Sequence, residues 1–145
     1  MDIRFVTDTY AVSPQIEPAD LPAIKEAGFT TVICNRPDEE IPTEVQAEAI
    51  RIATEAAGLT FILNPVTHQG LNMEMVATQM QALSDEKSKV LAYCASGTRS
   101  SIVWSLGQAG KMKTDAIINA TAGAGYELEG LRPRLDALAE ARTDG

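Results

Sequence analysis

A cysteine and an arginine separated by four mostly small residues form the segment of the sequence with the clearest chemical potential. Cys94 precedes Arg99, and the residues between them are Ala95, Ser96, Gly97 and Thr98. Small residues let a backbone curl so that successive amide N–H groups point at one place, which makes an anion-binding nest at the start of a helix. The guanidinium of Arg99 can hold an oxyanion through two parallel hydrogen bonds. The segment therefore predicts an anion site.

The same surroundings would activate the Cys94 thiol. A free cysteine titrates near about 8.5, whereas one at a helix N-terminus beside a cation falls to about 3.5–7.5. We therefore expect Cys94 to be a thiolate nucleophile, with a hydroxyl from Ser100 or Ser101 stabilising the thiolate when it leaves. An inert buried cysteine ahead of an ordinary helix is the alternative interpretation.

Two polar loops that follow predicted strands supply candidate proton donors. The first loop, at 35–42, contains the acids Asp38, Glu39 and Glu40. The second loop, at 64–72, contains His68, the single histidine of the sequence. Because the carboxyl ends of parallel strands meet at one edge of a sheet, we expect Asp38 and His68 at the rim of the Cys94 site. The alternative for Asp38 is that it belongs to a solvated acidic loop. The alternative for His68 is that it takes no part in the chemistry.

The elements that must position these residues alternate between strand and helix. Apolar and β-branched runs predict strands at 3–6, 9–12, 30–35, 59–63 and 90–93. Helical spacing and capping residues predict helices at 21–27, 43–57, 72–83, 100–106, 114–120 and 131–141. Thr43 and Asn72 are the expected caps of two of these helices, and Ile52 is expected on an inward face. The order predicts an α/β fold with a mainly parallel central sheet, helices on both faces and a hairpin at one edge.

Composition narrows the class of protein further. With 145 residues, 45% of them apolar, the chain is expected to form a single domain over 1–145. A formal net charge of −8 argues against nucleic acid or an anionic membrane as a partner. No apolar run approaches the length of a membrane span and no leader follows Met1, so we expect a cytoplasmic protein.

The remaining cysteine and histidine content predicts neither a metal nor another cofactor. The chain has two cysteines and one histidine, without the close spacing of zinc ligands. Cys34 lies within a predicted strand, where a free cysteine is usually a small buried hydrophobe. A redox role for Cys34 is the less favoured alternative.

Several motifs together point to a known family. They lie at 13–16, 20–21, 27–29, 35–40 (Asn-Arg-Pro-Asp-Glu-Glu), 94–100 (Cys-Ala-Ser-Gly-Thr-Arg-Ser) and 125–126 (Gly-Tyr). On these residues the chain resembles the beta-lactamase hydrolase-like, phosphatase-like domain family over nearly its whole length. The resemblance implies a cysteine-phosphatase architecture of the dual-specificity-phosphatase-like type, with Cys94 as nucleophile and Arg99 as anion clamp. It also implies a persulfide dioxygenase as a partner, because some bacteria carry this domain fused to one.

The length of the loop and the missing aspartate separate two reaction classes. The phosphatase superfamily has five residues between cysteine and arginine, whereas rhodanese sulfurtransferases have four, as here. Phosphatases of this type usually take an aspartate from the loop after the preceding strand. In this chain that loop lies at 64–72 and contains no aspartate, so His68 is its single titratable residue. A positioned acid contributes about 10²–10⁴-fold to proton-dependent steps, and sulfur transfer needs it less because its leaving group is a stable anion.

We therefore predict a rhodanese-like sulfurtransferase that carries a persulfide on Cys94, with thiosulfate or a persulfide as its small anionic donor. A phosphatase acting on a phosphorylated substrate through a phosphocysteine intermediate is the alternative. A non-catalytic domain that binds an anion or a partner is a third possibility.

Overall fold

The structure, a computed structural model, describes residues 1–67, 70–85 and 87–144. Within these residues the strands are β1 (Arg4–Phe5), β2 (Tyr10–Ser13), β3 (Thr31–Cys34), β4 (Thr60–Leu63) and β5 (Val90–Tyr93). The α-helices are α1 (Leu21–Glu26), α2 (Ala47–Ala56), α3 (Met73–Ala82), α4 (Thr98–Gln108), α5 (Thr114–Gly123) and α6 (Arg132–Asp144). No helix in the described ranges combines the length and the apolar composition needed to cross a membrane.

The strands form one sheet in the order β1-β2-β5-β3-β4. β1 pairs antiparallel with β2 at the edge, and the other neighbouring strands are parallel. At the carboxyl ends, the Asn35 amide donates to the Tyr93 carbonyl at 2.8 Å and the Asn64 amide donates to the Cys34 carbonyl at 2.9 Å. The ends of β5, β3 and β4 therefore lie side by side, and the predicted α/β class with a mainly parallel sheet is confirmed.

Helices cover both faces of the sheet because its buried strands are apolar on both sides. One face packs against α3, α4, α5 and α6, with a core that includes Val76, Trp104, Ile117 and Leu135. The other face packs against α1 and α2 through a core that includes Leu21, Ile24 and Ile50. The helix that follows Cys94, α4, is buried over most of its length. It is therefore held by packing on several sides.

Two helices begin elsewhere than the sequence predicts. Thr43 lies in a short 3-10 turn, and α2 begins at Ala47, where the Asp38 carboxylate accepts a hydrogen bond from the Ala47 amide at 2.8 Å. The inward face of α2 consists of Ala47, Ile50 and Thr54, so Ile52 is 56% exposed and its expected burial is wrong. The site helix α4 begins at Thr98, two residues early. In contrast, the predicted Asn72 cap of α3 is confirmed, since its side chain accepts from the Met75 amide.

A buried network of amide side chains joins the strand ends to α3 and α4. The Asn35 side chain donates to the Asn64 carbonyl at 2.8 Å and to Gln79 Oε1 at 3.0 Å. In return, Gln79 Nε2 donates to Asn35 Oδ1 and to the Tyr10 hydroxyl, both at 2.9 Å. The Tyr10 hydroxyl donates to the Ser100 carbonyl, in the first turn of α4, at 2.8 Å. The network therefore fixes the start of the site helix relative to three strands.

Replacing Gln79 by Met should lower the free energy of unfolding by about 2–3 kcal/mol, because it removes the hydrogen bond to the buried Asn35 Oδ1 and one of the two hydrogen bonds of the buried Tyr10 hydroxyl. Gln81→Met, at an exposed position of the same helix, should change it by no more than about 0.5 kcal/mol. Urea denaturation of both variants measures the difference. Equal stabilities for the two variants would contradict the structural role of the network.

Candidate active site

The Cys94 side chain is fully buried at the carboxyl end of β5, directly before the loop that leads into α4. The Gly97 amide donates to Cys94 Sγ at 3.1 Å. Gly97 has a φ of 97°, a left-handed conformation that lets the loop turn back toward the sulfur. Since α4 begins at Thr98, the positive end of its dipole faces the same loop. An amide donor and the N-terminus of a helix thus both face the sulfur.

The first part of the loop is open to solvent. Ala95 and Ser96 are exposed, and within the described residues their amides donate to no protein group. The Ser96 hydroxyl donates to Thr98 Oγ1 at 2.9 Å and accepts from the Thr98 amide at 3.3 Å. This local turn leaves the two exposed amides available to an anion.

The Arg99 guanidinium is held along one edge. Its Nη1 and Nη2 donate to the two Glu40 carboxylate oxygens at 2.8 and 2.7 Å, and Nη1 also donates to the Val66 carbonyl at 2.9 Å. A guanidinium carries five N–H donors, so Nε and the second hydrogen of Nη2 remain on the adjacent edge. That edge has the two donors that the predicted oxyanion contact of Arg99 needs, and the guanidinium also interacts with Cys94. The anion-binding role of Arg99 stays a prediction.

Glu40 is the site residue whose role sequence reasoning missed. It joins the loop after β3 to Arg99, and Arg36 Nε also donates to its carboxylate at 3.3 Å. The hydrogen bonds from Arg99 are the main reason that the pKa of Glu40 is lowered, and Arg36 lowers it further. A carboxylate that stays charged cannot donate a proton at neutral pH, so Glu40 is an anchor for Arg99. Its place in a polar loop after a parallel strand was the available signal.

The two predicted proton donors are placed differently. Asp38 is exposed, and one of its carboxylate oxygens accepts the hydrogen bond from the Ala47 amide that caps α2. No contact within the described residues brings Asp38 to Cys94. His68 lies outside the described residues, so its position relative to Cys94 is open. Both roles stay predictions.

Of the two serines that follow Arg99, only one has an uncommitted hydroxyl. The Ser101 hydroxyl donates to the Gly97 carbonyl at 2.9 Å. Ser100 is fully buried, and its hydroxyl has no hydrogen-bond partner in the described part of the chain. Leaving a buried hydroxyl without a partner lowers the stability of the fold, and a catalytic role is one explanation for such a group in a native structure. Ser100 is therefore the better candidate to stabilise the leaving thiolate.

Cys34 agrees with its plainer interpretation. Its thiol is buried in the core beneath α1 and α2 and donates to the Arg36 carbonyl at 3.3 Å. Burial is the main reason that the pKa of this thiol is raised. A thiol that resists ionisation is a poor nucleophile.

Replacing Glu40 by Gln should free one edge of Arg99 and lower the free energy of unfolding by about 1–2 kcal/mol at pH 7. Because the pKa of Glu40 is lowered from 4.5 in the folded state, this stabilisation is complete above about pH 5 and declines as the pH falls below the ordinary value. The gap between wild type and Glu40→Gln in urea unfolding should therefore shrink at about pH 3.5. The exposed neighbour Glu39→Gln is the control, and an equal gap at both pH values would contradict the role of the ion pair.

Comparison with known proteins identifies the family of the chain. Residues 2–111 match the family model of the beta-lactamase hydrolase-like protein, phosphatase-like domain. A beta-lactamase hydrolase-like protein of Xylella fastidiosa is 26% identical over 130 residues, which cover 88% of this chain and 30% of the relative. The chain thus spans under a third of the length of that curated relative.

Solved structures show the same fold. A crystal structure of a candidate phosphatase from Neisseria meningitidis matches with a TM-score of 0.81 and 37% identity, covering 95% of this chain and 99% of that one. The kinase-associated phosphatase, crystallised with its catalytic-site cysteine replaced by serine, matches with a TM-score of 0.71. Its identity is 14%, over 98% of this chain and 94% of that one, so this likeness shows the fold alone. The chain belongs to the beta-lactamase hydrolase-like, phosphatase-like domain family and has the dual-specificity-phosphatase-like fold of cysteine phosphatases.

Proposed function

We propose that the chain is a cysteine phosphatase that hydrolyses a phosphomonoester through a phosphocysteine intermediate. The observation that carries this proposal is a thiol and a guanidinium on one loop, with the guanidinium anchored by Glu40 so that its other edge stays available. The phosphatase-like family and the fold of the relatives support it. They favour the phosphatase alternative over the sulfurtransferase predicted from loop length, which is not confirmed.

In the proposed reaction the Cys94 thiolate attacks phosphorus, and the S–P bond forms as the ester P–O bond breaks. The free edge of Arg99 and the exposed loop amides hold the non-bridging oxygens, whose charge grows in the transition state. The leaving alkoxide takes a proton from a general acid. Water then attacks the phosphorus of the phosphocysteine and gives its proton to the conjugate base of that acid. The S–P bond breaks, inorganic phosphate leaves, and the Ser100 hydroxyl stabilises the departing Cys94 thiolate.

Sulfur transfer rests on two features of the sequence, the four residues between Cys94 and Arg99 and the loop at 64–72 that contains no aspartate. A thiosulfate or persulfide donor belongs to that alternative, and the persulfide dioxygenase partner is implied by the family resemblance. The names of the relatives reported above point to neither. A mass measurement separates the two reactions, because a persulfide adds one sulfur atom to the protein.

Wild-type protein should release phosphate from p-nitrophenyl phosphate and be inhibited by vanadate, and Cys94→Ser should abolish the activity. Arg99→Lys should lower kcat/KM by about 10²-fold, because an ammonium keeps the charge but loses the planar fork. Cys34→Ser is the matched control and should retain activity within about twofold. If wild type releases no phosphate but gains about 32 Da from thiosulfate, reversibly with dithiothreitol, the sulfurtransferase interpretation replaces this proposal.

The general acid can be identified by comparing leaving groups. We expect His68→Asn to slow hydrolysis of an alkyl phosphate by about 10²-fold or more and that of an aryl phosphate far less, because only the poorer leaving group needs the proton. Asp38→Asn should have little effect on either substrate, since its amide oxygen can still accept from the Ala47 amide. If Asp38→Asn shows the selective loss instead, Asp38 is the donor and His68 the bystander.

A further inference from the structure

We infer that Tyr126 is a positioning residue that orients the peptide unit between Ser96 and Gly97 and thereby keeps the Gly97 N–H directed at Cys94 Sγ. The Tyr126 hydroxyl donates to the Ser96 carbonyl oxygen at 2.8 Å. The N–H of the same peptide unit, that of Gly97, donates to Cys94 Sγ at 3.1 Å. One peptide unit thus connects the tyrosine to the sulfur.

The planarity of the peptide bond turns these two contacts into one constraint. In a trans peptide the C=O and N–H groups lie in one plane and point in opposite directions. A hydroxyl that holds the Ser96 oxygen on the outer side of the loop therefore keeps the Gly97 N–H directed at the sulfur. Tyr126 acts on Cys94 through this unit and needs no direct contact with it.

Gly97 is the reason that the orientation needs to be held. Its φ is 97°, and glycine accepts negative φ values equally well, so the peptide unit can rotate by half a turn without steric cost at this residue. The rotated unit would aim the Ser96 carbonyl oxygen at the sulfur, where it would repel both a thiolate and a bound anion. The Tyr126 hydroxyl stabilises the productive orientation over this alternative.

The position of Tyr126 is itself well fixed. The residue is only 8% exposed, and its amide donates to the Thr121 carbonyl at 2.8 Å. Arg4 lies 5.7 Å from its ring centre and also donates to the Ala124 carbonyl. A Cβ added at Gly97 would collide with the Tyr126 hydroxyl oxygen, so only glycine leaves room for the tyrosine at this position. Tyr126 lies outside residues 2–111, which match the family model.

The test compares Tyr126→Phe with Tyr93→Phe, both in a Cys34→Ser background that leaves Cys94 as the single thiol. Tyr93 is also buried, and its hydroxyl hydrogen-bonds no peptide of the loop. The rate of Cys94 alkylation by iodoacetamide, measured against pH, reports the thiolate fraction. Tyr126→Phe should move the midpoint up by about one pH unit, a tenfold effect of the size expected for one hydrogen bond near an ionised group. Tyr93→Phe should leave the midpoint unchanged.

A kinetic measurement adds a second result, and only this part rests on the proposed function. Tyr126→Phe should lower kcat/KM for an aryl phosphate by about tenfold at pH values near the parental midpoint. A parent protein without phosphatase activity would refute the proposed function, whereas the alkylation profile would still decide the role of Tyr126. An unchanged midpoint in Tyr126→Phe would overturn the inference.

Gly97→Ala tests the same peptide unit from its other side. An alanine at this position is strained at a φ of 97° and collides with the Tyr126 hydroxyl, so the unit should rotate and the alkylation midpoint should rise as in Tyr126→Phe. This variant decides the matter if Tyr126→Phe fails to fold. A Gly97→Ala protein with the parental midpoint would overturn the inference.

Discussion

One edge of the Arg99 guanidinium is bound to the Glu40 carboxylate, and the rest of the site depends on that contact. A free arginine at a helix start would lose side-chain entropy on binding an anion, whereas Arg99 is already ordered. Arg36 shares the same carboxylate, so the cluster carries two positive charges and one negative charge. In a chain with a formal net charge of −8, this local excess of positive charge is what makes an anion site possible.

The buried amide side chains of Asn35, Asn64 and Gln79 support the site at the carboxyl ends of the strands. Strand hydrogen bonding ends where the polar loops begin, and backbone groups there need other partners. The amides supply these partners and connect, through Tyr10, to the first turn of α4. A fully satisfied polar network in a core specifies one arrangement of its elements. The loop thus rests on a base in which Asn35, Gln79 and Tyr10 are hydrogen-bonded to one another.

Features set by local pattern were predictable, and features set by long-range contacts were not. The apolar run at 90–93 and the small residues after Cys94 predict the strand and the loop, whereas the role of Cys94 as nucleophile stays a prediction. Asp38 and Glu40 are two acids of one loop, and only the short turns of that loop decide which one reaches Arg99. Tyr126 is distant from the loop in the sequence, so no spacing rule links it to Ser96. His68, on which the choice of acid depends, lies outside the described residues.

The reaction class was predicted from the number of loop residues together with the missing aspartate, and loop length is a weak guide to what the loop binds. The left-handed conformation of Gly97 ends the loop early, so α4 starts at Thr98 and Arg99 lies in its first turn. In the proposed mechanism an anion would contact the exposed loop amides, the N-terminus of α4 and the free edge of Arg99, and the shorter loop retains all three. Shortening the loop by one residue removes at most one amide donor. If Arg99 pointed away from the loop, the site would lose a positive charge and a pair of parallel hydrogen bonds. The contact between Glu40 and Arg99 therefore says more about oxyanion binding than the length of the loop.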